Sequence, residues 1–472
     1  MAFVDRKQEL TALKRWWHSR RAQFIPVTGR RRVGKTTLLE HFAEGKRMVY
    51  YRCRLAATDG QLPLLGAALA TFSGDSVLIA QPPASWPAVF ALLERLSREG
   101  RFLLILDELP YWVHRDESVP SVIQNWWDEK GSNLDLMVVI CGSAVSTMEK
   151  LLTGPAPLAG CMTGRLQVHP FDLPSAADLL GFADPVDSLT AYGILGGVPL
   201  YLSYFLPDLS ISDNILEAIA SPTARMYVEP AALFASHHVA FNAQQALAVL
   251  RAIANRHYRW SEIGEAAGIR ANLERVMEPL MGDMGLVRRV LPVTEEAKEK
   301  PGKGYYVQYH LTDNYLRFYF RYIEPNQGLI EFGAGNQVVD AIMADLPSFL
   351  GPVYEEMCRD WTRAATAAGI LPVRPNRIGS WWIADHELDV VGLDSRGKAI
   401  LTGEAKWHNT QEFDWDDLTK YLGHVQALGD LLSPGAHHLL FSKSGYADGV
   451  KRWAEANSAT MVSPADMLTT RR

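Results

Sequence analysis

One short stretch, Gly-Arg-Arg-Arg-Val-Gly-Lys-Thr-Thr at 29–37, limits what this chain can fold into more than any other. It follows the apolar run Phe-Ile-Pro-Val at 24–27 and matches the pattern G-x-x-x-x-G-K-[ST] between a strand and a helix. The glycines let the backbone curl so that its N–H groups point at phosphate oxygens, and the following helix adds its positive dipole end. The sequence therefore predicts a parallel α/β sheet that carries a nucleotide phosphate-binding loop.

The residues of this loop have separate predicted tasks. We expect the Lys35 ammonium to reach the β- and γ-phosphates of ATP and the Thr36 hydroxyl to bind Mg²⁺. The alternative is a glycine-rich turn that opens a basic helix. The predicted nucleotide-binding residues are Gly29, Arg30, Arg31, Arg32, Val33, Gly34, Lys35, Thr36 and Thr37.

A second apolar run, Phe-Leu-Leu-Ile-Leu at 102–106, ends in two carboxylates, Asp107 and Glu108. A continuous apolar run is typical of a strand that is buried on both faces of a parallel sheet. Open α/β sheets bind their ligands at the carboxyl ends of the strands. We therefore expect Asp107 to bind Mg²⁺ and Glu108 to polarise the attacking water. A strand end whose acids merely face solvent is the alternative.

Two more residues are candidates for the same site. A third apolar strand, 134–140, leads into Cys-Gly-Ser, which places Ser143 near the γ-phosphate. Arg165 is a candidate for stabilising transition-state charge, either in its own chain or in a neighbouring subunit, and such an arginine contributes on the order of 10³- to 10⁵-fold in rate. A solvated surface arginine is the alternative for Arg165.

Together with Tyr-Gly-Ile-Leu-Gly-Gly-Val-Pro at 192–199, these motifs resemble the archaeal-type ATPase family, a prokaryotic branch of the AAA+/STAND P-loop ATPases. The resemblance covers residues 1–235. It implies that 192–199 belongs to a helical lid behind the nucleotide and that Ser143 is the first sensor. A simple helix break at Gly-Gly-Val-Pro is compatible with that assignment.

The middle of the chain has the pattern of a winged helix-turn-helix, with helices at 241–254, 260–267 and 272–284 followed by a β-hairpin. In a DNA-reading version, basic side chains of the third helix and the wing would contact DNA. Acidic residues on the third helix would repel a DNA backbone, so a protein-contact module is the alternative. The basic residues are Arg270, Arg275, Arg288, Arg289, Lys298, Lys300 and Lys303, and the acidic ones are Glu274, Glu278 and Asp283.

A second site is predicted in the last third of the chain, on two strands joined by the turn Asp-Ser-Arg-Gly at 394–397. Side chains alternate along a strand, so Glu404 and Lys406 face the same way, and Asp389 reaches the same spot across the hairpin. The two carboxylates would bind Mg²⁺, which prefers oxygen ligands. A metal there would activate water for attack on a phosphodiester, with Lys406 as the catalytic cation.

This Asp…Glu-x-Lys arrangement is similar to the PD-(D/E)xK restriction-endonuclease-like fold, and in particular to the carboxyl-terminal domain fused to archaeal-type ATPases. The resemblance covers 327–472 and adds Glu355, on the helix predicted at 351–368, as an upstream acid at the metal. Leu388 stands where the motif has a proline. The alternative is a surface hairpin that carries ordinary salt bridges.

Composition places bounds on these predictions. The chain has 472 residues, enough for two to four domains, and a net charge of -6, so any contact with nucleic acid must come from local basic patches. The four cysteines form no C-x-x-C pair, which is typical of a protein in the reducing cytoplasm. The sequence shows no signal segment and no membrane-spanning run, so we expect no membrane partner.

The fold predicted from the sequence is therefore α/β. It has a P-loop NTPase core at 1–170, a helical lid at 171–238, a winged helix at 239–325 and a restriction-endonuclease-like domain at 326–472. The predicted function is ATP hydrolysis with Mg²⁺ that controls a metal-dependent nuclease acting on DNA. The alternative is a regulatory ATPase whose nuclease-like domain only binds nucleic acid or a protein. A homo-oligomer is compatible with either function.

Overall fold

A computed structural model describes residues 3–142, 145–230, 243–269, 271–282, 284–296 and 306–470. The chain divides into two compact units, Met1–Pro170 and Phe171–Arg472. None of the helices in those ranges combines the length and the apolar character needed to cross a bilayer. The finer domain boundaries expected from the sequence stay predictions.

The first unit is built on a five-stranded sheet in the order β2-β3-β4-β1-β5, and all of its strand pairs are parallel. Its elements are α1 Lys7–His18, β1 Gln23–Thr28, α2 Lys35–Ala43, β2 Met48–Arg52, α3 Thr58–Ser73, α4 Ser76–Ala80, α5 Trp86–Arg98, β3 Phe102–Asp107, α6 Leu109–Arg115, α7 Val119–Glu129, β4 Leu136–Gly142, α8 Val145–Leu152 and β5 Leu166–Gln167.

The central strands of this sheet are buried on both faces, as their apolar runs predict. Every residue of β1, β3 and β4 is buried. Alternate residues enter different hydrophobic clusters: Ile25 and Ile105 pack with α1 and α2, whereas Phe24 packs with α3, α5 and α7. Because the strands are parallel, the ends of β1, β2, β3 and β4 meet at one edge, and the P-loop leaves from that edge.

The second unit opens with helices and ends with a mixed sheet. Its elements are α9 Leu173–Leu180, α10 Pro185–Leu195, α11 Pro199–Leu202, α12 Ile211–Ala218, α13 Ala243–Ala254, α14 Trp260–Ala266, α15 Glu274–Met281, β6 Val287–Val290, β7 Gln308–Leu311, α16 Asn314–Phe318, α17 Gln327–Glu331, α18 Gly335–Ala367, β8 Arg377–Ile383, β9 His386–Leu393, β10 Ala399–Lys406, α19 Trp415–Gln426, β11 Leu432–Ser442, α20 Asp448–Ala456, β12 Thr460–Val462 and α21 Pro464–Thr469.

Helices α13, α14 and α15 are followed by the antiparallel ribbon of β6 and β7, the order that the sequence predicts for this segment. Several basic and acidic side chains expected to decide whether it contacts DNA lie outside the described residues. They are Arg270, Asp283, Lys298, Lys300 and Lys303.

The second sheet has the order β12-β11-β10-β9-β8. Strands β8, β9 and β10 are antiparallel neighbours, whereas β11 runs parallel to β10 and β12 runs parallel to β11. The predicted turn between β9 and β10 is present, because the Gly397 N–H donates to the Asp394 carbonyl over 3.1 Å.

The long helix α18 differs from its predicted bounds. It begins at Gly335 rather than at 351 and runs for 33 residues, with Pro347 and Pro352 inside it. The prolines suggest a helix start near 351, yet buried apolar side chains such as Val338 and Ile342 continue the packing face toward the amino terminus. A Cβ at Gly335 would lie 2.4 Å from the Ala220 carbonyl oxygen, so the helix starts in close backbone contact.

Candidate functional site

The backbone of the P-loop takes the shape that its glycines allow. Gly29 and Gly34 have φ angles of +153° and +88°, which few other residues adopt. A Cβ at Gly29 would lie 2.3 Å from the Val168 carbonyl oxygen, so no larger residue fits there without a shift in the backbone. Gly34 caps the amino end of α2, so the helix dipole begins directly after the loop.

Lys35 lies inside the curl of this loop. Its side chain is buried, and Nζ donates to the carbonyl oxygens of Gly29 at 2.7 Å and Arg30 at 2.9 Å. Burial lowers the pKa of the Lys35 ammonium below its ordinary value. The loop carbonyls thus hold the lysine where phosphate oxygens would be its acceptors, and this geometry fits the predicted contact with ATP.

The loop is also supported from outside by Arg6, which the sequence analysis did not single out. Arg6 is buried just before α1, and its Nη2 donates to the Val33 carbonyl over 2.8 Å. Its Nη1 donates to Glu9 Oε1 over 2.9 Å. Arg6 lies 27 residues from Val33 in sequence, so no local pattern could have indicated the contact.

The two predicted Mg²⁺ ligands of this site are neighbours. Thr36 Oγ1 donates to Asp107 Oδ2 over 3.3 Å, across the strand edge where the P-loop enters its helix. The same oxygen accepts a 2.6 Å hydrogen bond from the Tyr50 hydroxyl, and Arg52 Nε lies 3.6 Å from it. A hydroxyl beside a buried carboxylate is an oxygen donor set that suits Mg²⁺.

Tyr50 and Arg52 are further residues that the sequence analysis missed. They lie two positions apart on β2, and Arg52 is the register partner of Asp107 on β3. Burial and the bond to Asp107 raise the pKa of the Tyr50 hydroxyl, so Tyr50 stays a donor at neutral pH. Only the knowledge that β2 lies beside β3 would have identified them.

Glu108, the predicted water-polarising residue, has a left-handed φ of +55°. It caps the amino end of α6, and its N–H donates to Asp107 Oδ1 over 3.1 Å. A left-handed conformation costs a residue other than glycine about 1–3 kcal/mol and is common at functional sites. Its catalytic role stays a prediction.

The remaining predicted residues of this site stay untested. Ser143 lies outside the described residues. Arg165 precedes β5 and is partly exposed, with Nη2 3.5 Å from Glu149 Oε1. Its neighbour Leu166 pairs with Val27, so Arg165 is set back from the edge where the P-loop begins.

The second candidate site lies on β9 and β10 of the second unit. Asp389 and Glu404 are both buried, and Lys406 Nζ donates to Glu404 Oε1 over 2.8 Å. The Ala405 N–H donates to Asp389 Oδ2 over 2.8 Å and fixes that carboxylate. The structure therefore brings the predicted Asp, Glu and Lys together at the middle of the sheet.

Two more acids complete what we call the acid cluster, defined as Glu355, Glu387, Asp389 and Glu404. Burial, followed by the charge of Asp389, raises the pKa of Glu355 far above its ordinary value and raises that of Glu387 as well. The same two causes raise the pKa of Glu404 to about 8. Crowded buried carboxyls with raised pKa values fit a cation that would balance their charge. Within the described ranges, however, no three His, Cys, Asp or Glu side chains form a ready-made metal-binding group.

Helix α18 holds Glu355 against this sheet. Arg359, one turn further on, donates from Nη1 to the Asp389 carbonyl over 2.8 Å. Glu356, the neighbour of Glu355, accepts a 3.2 Å bond from Arg317 Nη2 and lies 2.9 Å from Arg288 Nη2. Arg288 thus has a carboxylate partner in Glu356, and the expectation that it contacts DNA phosphates stays a prediction.

Two family models match the chain. Residues 3–205 match "ATPase domain predominantly from Archaea", and residues 319–418 match "Archaea bacterial proteins of unknown function". The second description assigns no activity, so the nuclease predicted from the sequence stays a prediction.

Two relatives and one solved structure are similar to this chain. An uncharacterized protein of Methanocaldococcus jannaschii is 29% identical over 419 residues, which cover 87% of this chain and 89% of that protein. An uncharacterized ATP-binding protein of the same organism is 50% identical over 46 residues, which cover 10% of this chain and 78% of that protein. A Walker-type ATPase of Pyrococcus abyssi has a TM-score of 0.52 at 20% identity, covering 67% of this chain and 96% of that one. Residues 3–205 are therefore similar to an ATPase domain found mainly in Archaea, and the structural match supports an α/β fold.

Proposed function

We propose that the chain binds ATP and hydrolyses it at the 29–37 loop. The observation that carries this proposal is the contact of Thr36 with Asp107. Thr36 directly follows the buried Lys35, so the ammonium and the oxygen donors lie at the same place. Lys35 would hold the β- and γ-phosphates, and Thr36 and Asp107 would hold Mg²⁺, which neutralises phosphate charge when it is bound. Glu108 would accept a hydrogen bond from the attacking water and orient it toward the γ-phosphate.

Removing the loop ammonium tests this proposal. We expect Lys35→Ala to lower ATP hydrolysis by at least about 10²-fold, the usual order for loss of a group that stabilises transition-state charge. Phosphate release would be measured beside Lys46→Ala, a control whose ammonium bonds to the Phe42 carbonyl at the far end of α2. Equal turnover in wild type and Lys35→Ala would contradict the assignment.

We further propose that the second unit is a metal-dependent nuclease acting on DNA, with Asp389, Glu404 and Glu355 as ligands of Mg²⁺. Support comes from the order α18, β8, β9, β10, α19, β11, in which an antiparallel trio is followed by a helix and a parallel strand. Apart from β8, that order is the one expected from the resemblance to the PD-(D/E)xK fold. Lys406 would orient the water that attacks the phosphodiester and stabilise the negative charge that develops there.

Plasmid nicking tests the nuclease. Supercoiled DNA would be incubated with Mg²⁺ or Mn²⁺, with and without ATP, using wild type, Asp389→Ala and Lys406→Ala. We expect both variants to lose cleavage and to keep ATP hydrolysis, whereas Lys420→Ala, an exposed lysine on α19, should cleave like wild type. Cleavage that survives in Lys406→Ala would come from a contaminant or from another site.

A second candidate function is a regulatory ATPase whose second unit binds nucleic acid or a protein without cutting. It is favoured by one contact: Glu404, a proposed metal ligand, is already bonded to Lys406. Crystals soaked in Mn²⁺ would distinguish the two. Anomalous density at Asp389 and Glu404 supports the nuclease, and a site that stays empty at high Mn²⁺ supports the regulatory protein. ATP control of cleavage is part of the first function and would appear as ATP-dependent nicking.

A further inference from the structure

Positive charge is concentrated near the amino end of the first unit. Residues 1–54 contain fourteen lysines and arginines but four aspartates and glutamates, although the whole chain has a net charge of -6. Part of this charge belongs to the 29–37 loop, to which ATP binding gives a task. Another part lies on α1, which has no task in either proposed activity. A local excess of this kind on an acidic chain indicates a surface for a polyanion.

The charged face of α1 is what we call the α1 stripe, defined as Lys7, Thr11, Lys14, Arg15 and His18. Spacings of three, four and seven residues place these side chains on one helix face about 100° wide. All five are exposed, whereas Leu13, on another face, is buried. The cations of the stripe extend over about 12 Å of the helix axis. They therefore form a short, straight row on the surface.

The three permanent cations of the stripe have no acidic partner. Elsewhere in the unit a surface cation does have one: Arg95 Nη1, for example, lies 3.1 Å from Asp75 Oδ2. Among the residues that the structure describes, no carboxylate comes within the 4.0 Å of an ion pair to Lys7, Lys14 or Arg15. Their charge is thus left for a ligand from outside the chain.

The electrostatics of the helix itself do not account for the stripe. Cations stabilise the last turn of a helix, which explains Arg15 and His18. Lys7, however, stands in the first turn, where the dipole favours acids. The acid of that turn, Glu9, accepts a hydrogen bond from Arg6.

Further positive charge lies beside the stripe. Burial, followed by the charge of Lys14, lowers the pKa of the Lys46 ammonium, so these two lysines lie close together. Arg20 and Arg21 follow the end of α1 and are exposed. Repulsion among like charges costs free energy, and a bound polyanion would reduce that cost.

The shape of the stripe also restricts its ligand. A concavity of about 350 Å³ lies on this face, and its lining includes Lys7 and Arg15 with the short side chains of Thr11 and Ala12 between them. A phosphate group can therefore approach both cations. The fifth described residue that lines it is Gln8, so an unstacked base would find no aromatic ring there. This composition favours a duplex backbone over a single strand.

We propose that the α1 stripe binds the phosphate backbone of duplex DNA without reading its bases. A duplex carries one negative charge for about each 1.7 Å of its axis, so a row of this length faces several phosphates. Ammonium and guanidinium groups bind phosphates at any sequence. A membrane surface fits less well, because an interfacial helix needs large exposed apolar side chains and residues 7–18 expose none. The inference is independent of both proposed activities.

Anisotropy of a fluorescein-labelled duplex of about 20 base pairs tests the proposal in the full-length chain, with EDTA present so that no metal supports cleavage. The main variant is Lys7→Gln with Lys14→Gln and Arg15→Gln, called the stripe variant. We expect its Kd to rise on the order of tenfold to a hundredfold. The slope of log K against log salt should become shallower by about 2.7, because each lost phosphate contact removes about 0.9.

The matched control is Arg95→Gln with Arg98→Gln and Lys130→Gln. It removes the same charge from the same unit, but these exposed cations are paired with acids, so it should bind like wild type. An equal loss of affinity in the control would show that only the net charge matters, and it would overturn the proposal.

A second variant separates loss of charge from loss of structure. Lys7→Arg with Lys14→Arg and Arg15→Lys keeps every charge and should keep the wild-type salt slope. The stripe variant should also hydrolyse ATP like wild type, because its three side chains lie outside the residues proposed for hydrolysis. An unchanged slope in the stripe variant would overturn the proposal, as would a shallower slope that the charge-keeping variant shares.

The outcomes also distinguish this inference from the nuclease. Plasmid nicking that depends on Lys406, together with unchanged duplex affinity in the stripe variant, would keep the nuclease and reject the stripe. No nicking, with the expected change in slope, would reject the nuclease and keep the stripe. Tighter binding to oligo(dT) than to the duplex would overturn the assignment to a double strand. Binding to phosphatidylserine vesicles that the stripe variant loses, with unchanged duplex affinity, would assign the stripe to a membrane surface instead.

Discussion

The nucleotide loop and the acid cluster place their polar groups by opposite means. At the loop, backbone geometry sets the shape, and Asp107 is already bonded to Thr36, Tyr50 and the Glu108 N–H. At the acid cluster, side chains from α18, β9 and β10 converge, and burial with mutual repulsion raises the pKa values of their carboxyls. The first site is arranged before its ligand arrives, whereas the second crowds buried carboxyls whose mutual repulsion a bound cation would reduce.

The largest effect is expected when one methyl group is added to the loop, because this tests whether the loop backbone is rigid. Gly29→Ala should lower the free energy of unfolding by at least about 3 kcal/mol, because a Cβ would lie 2.3 Å from the Val168 carbonyl oxygen at a φ of +153°. Urea unfolding measures the change. Gly45→Ala, with a φ of +71° and no atom within 4 Å of its Cβ, should cost only about 1 kcal/mol. Equal decreases in the free energy of unfolding for the two variants would mean that the backbone around Gly29 shifts at little cost.

At the acid cluster we expect metal binding to change the free energy of unfolding. We expect Mn²⁺ at a hundred times its Kd to stabilise the second unit by about 2.7 kcal/mol, because ions that bind only the folded state add that amount. Calorimetry of wild type and Asp389→Ala measures the shift, which the variant should lose. Asp107→Asn, a change at the other site, should keep it. A shift of equal size in Asp389→Ala would place the metal elsewhere.

A smaller effect, on the Mg²⁺ dependence of ATP hydrolysis, is expected at Tyr50, whose hydroxyl bonds to Asp107 beside the loop. Tyr50→Phe removes a hydrogen bond to Asp107 Oδ2 and should raise the Mg²⁺ concentration for half-maximal ATP hydrolysis by about 3- to 10-fold. Tyr51→Phe is the matched control, because the Tyr51 hydroxyl donates to the Gln61 carbonyl instead. Equal Mg²⁺ dependence in the two variants would show that Tyr50 does not position Asp107.

Much of the fold could be predicted because its signals are local. The P-loop pattern, the apolar run before Asp107 and the turn at 394–397 each depend on adjacent residues. The helices between β2 and β3 were not predicted, and the start of α18 was misplaced, because prolines obscured a packing face that the second unit buries. Local propensity yields to tertiary packing at such positions.

The candidate sites were predicted less completely, since their supporting contacts join residues far apart in sequence. Tyr50 meets Asp107 across 57 positions, and Arg359 meets Asp389 across 30. Arg288 on β6 pairs with Glu356 on α18, across 68 positions. Charge and spacing identify the candidate metal ligands, whereas the residues that orient them depend on which elements become neighbours.

The length of α18 has a mechanical consequence. Gly335 touches the Ala220 carbonyl at one end, and Glu355 joins the acid cluster about 30 Å further along the axis. An uninterrupted helix of that length would carry a displacement at its start to the carboxylate with little loss. Pro347 and Pro352 remove backbone hydrogen bonds between the two points, so the helix contains a compliant joint immediately before its working end. The stiffness of that joint sets how far a displacement near Ala220 moves Glu355.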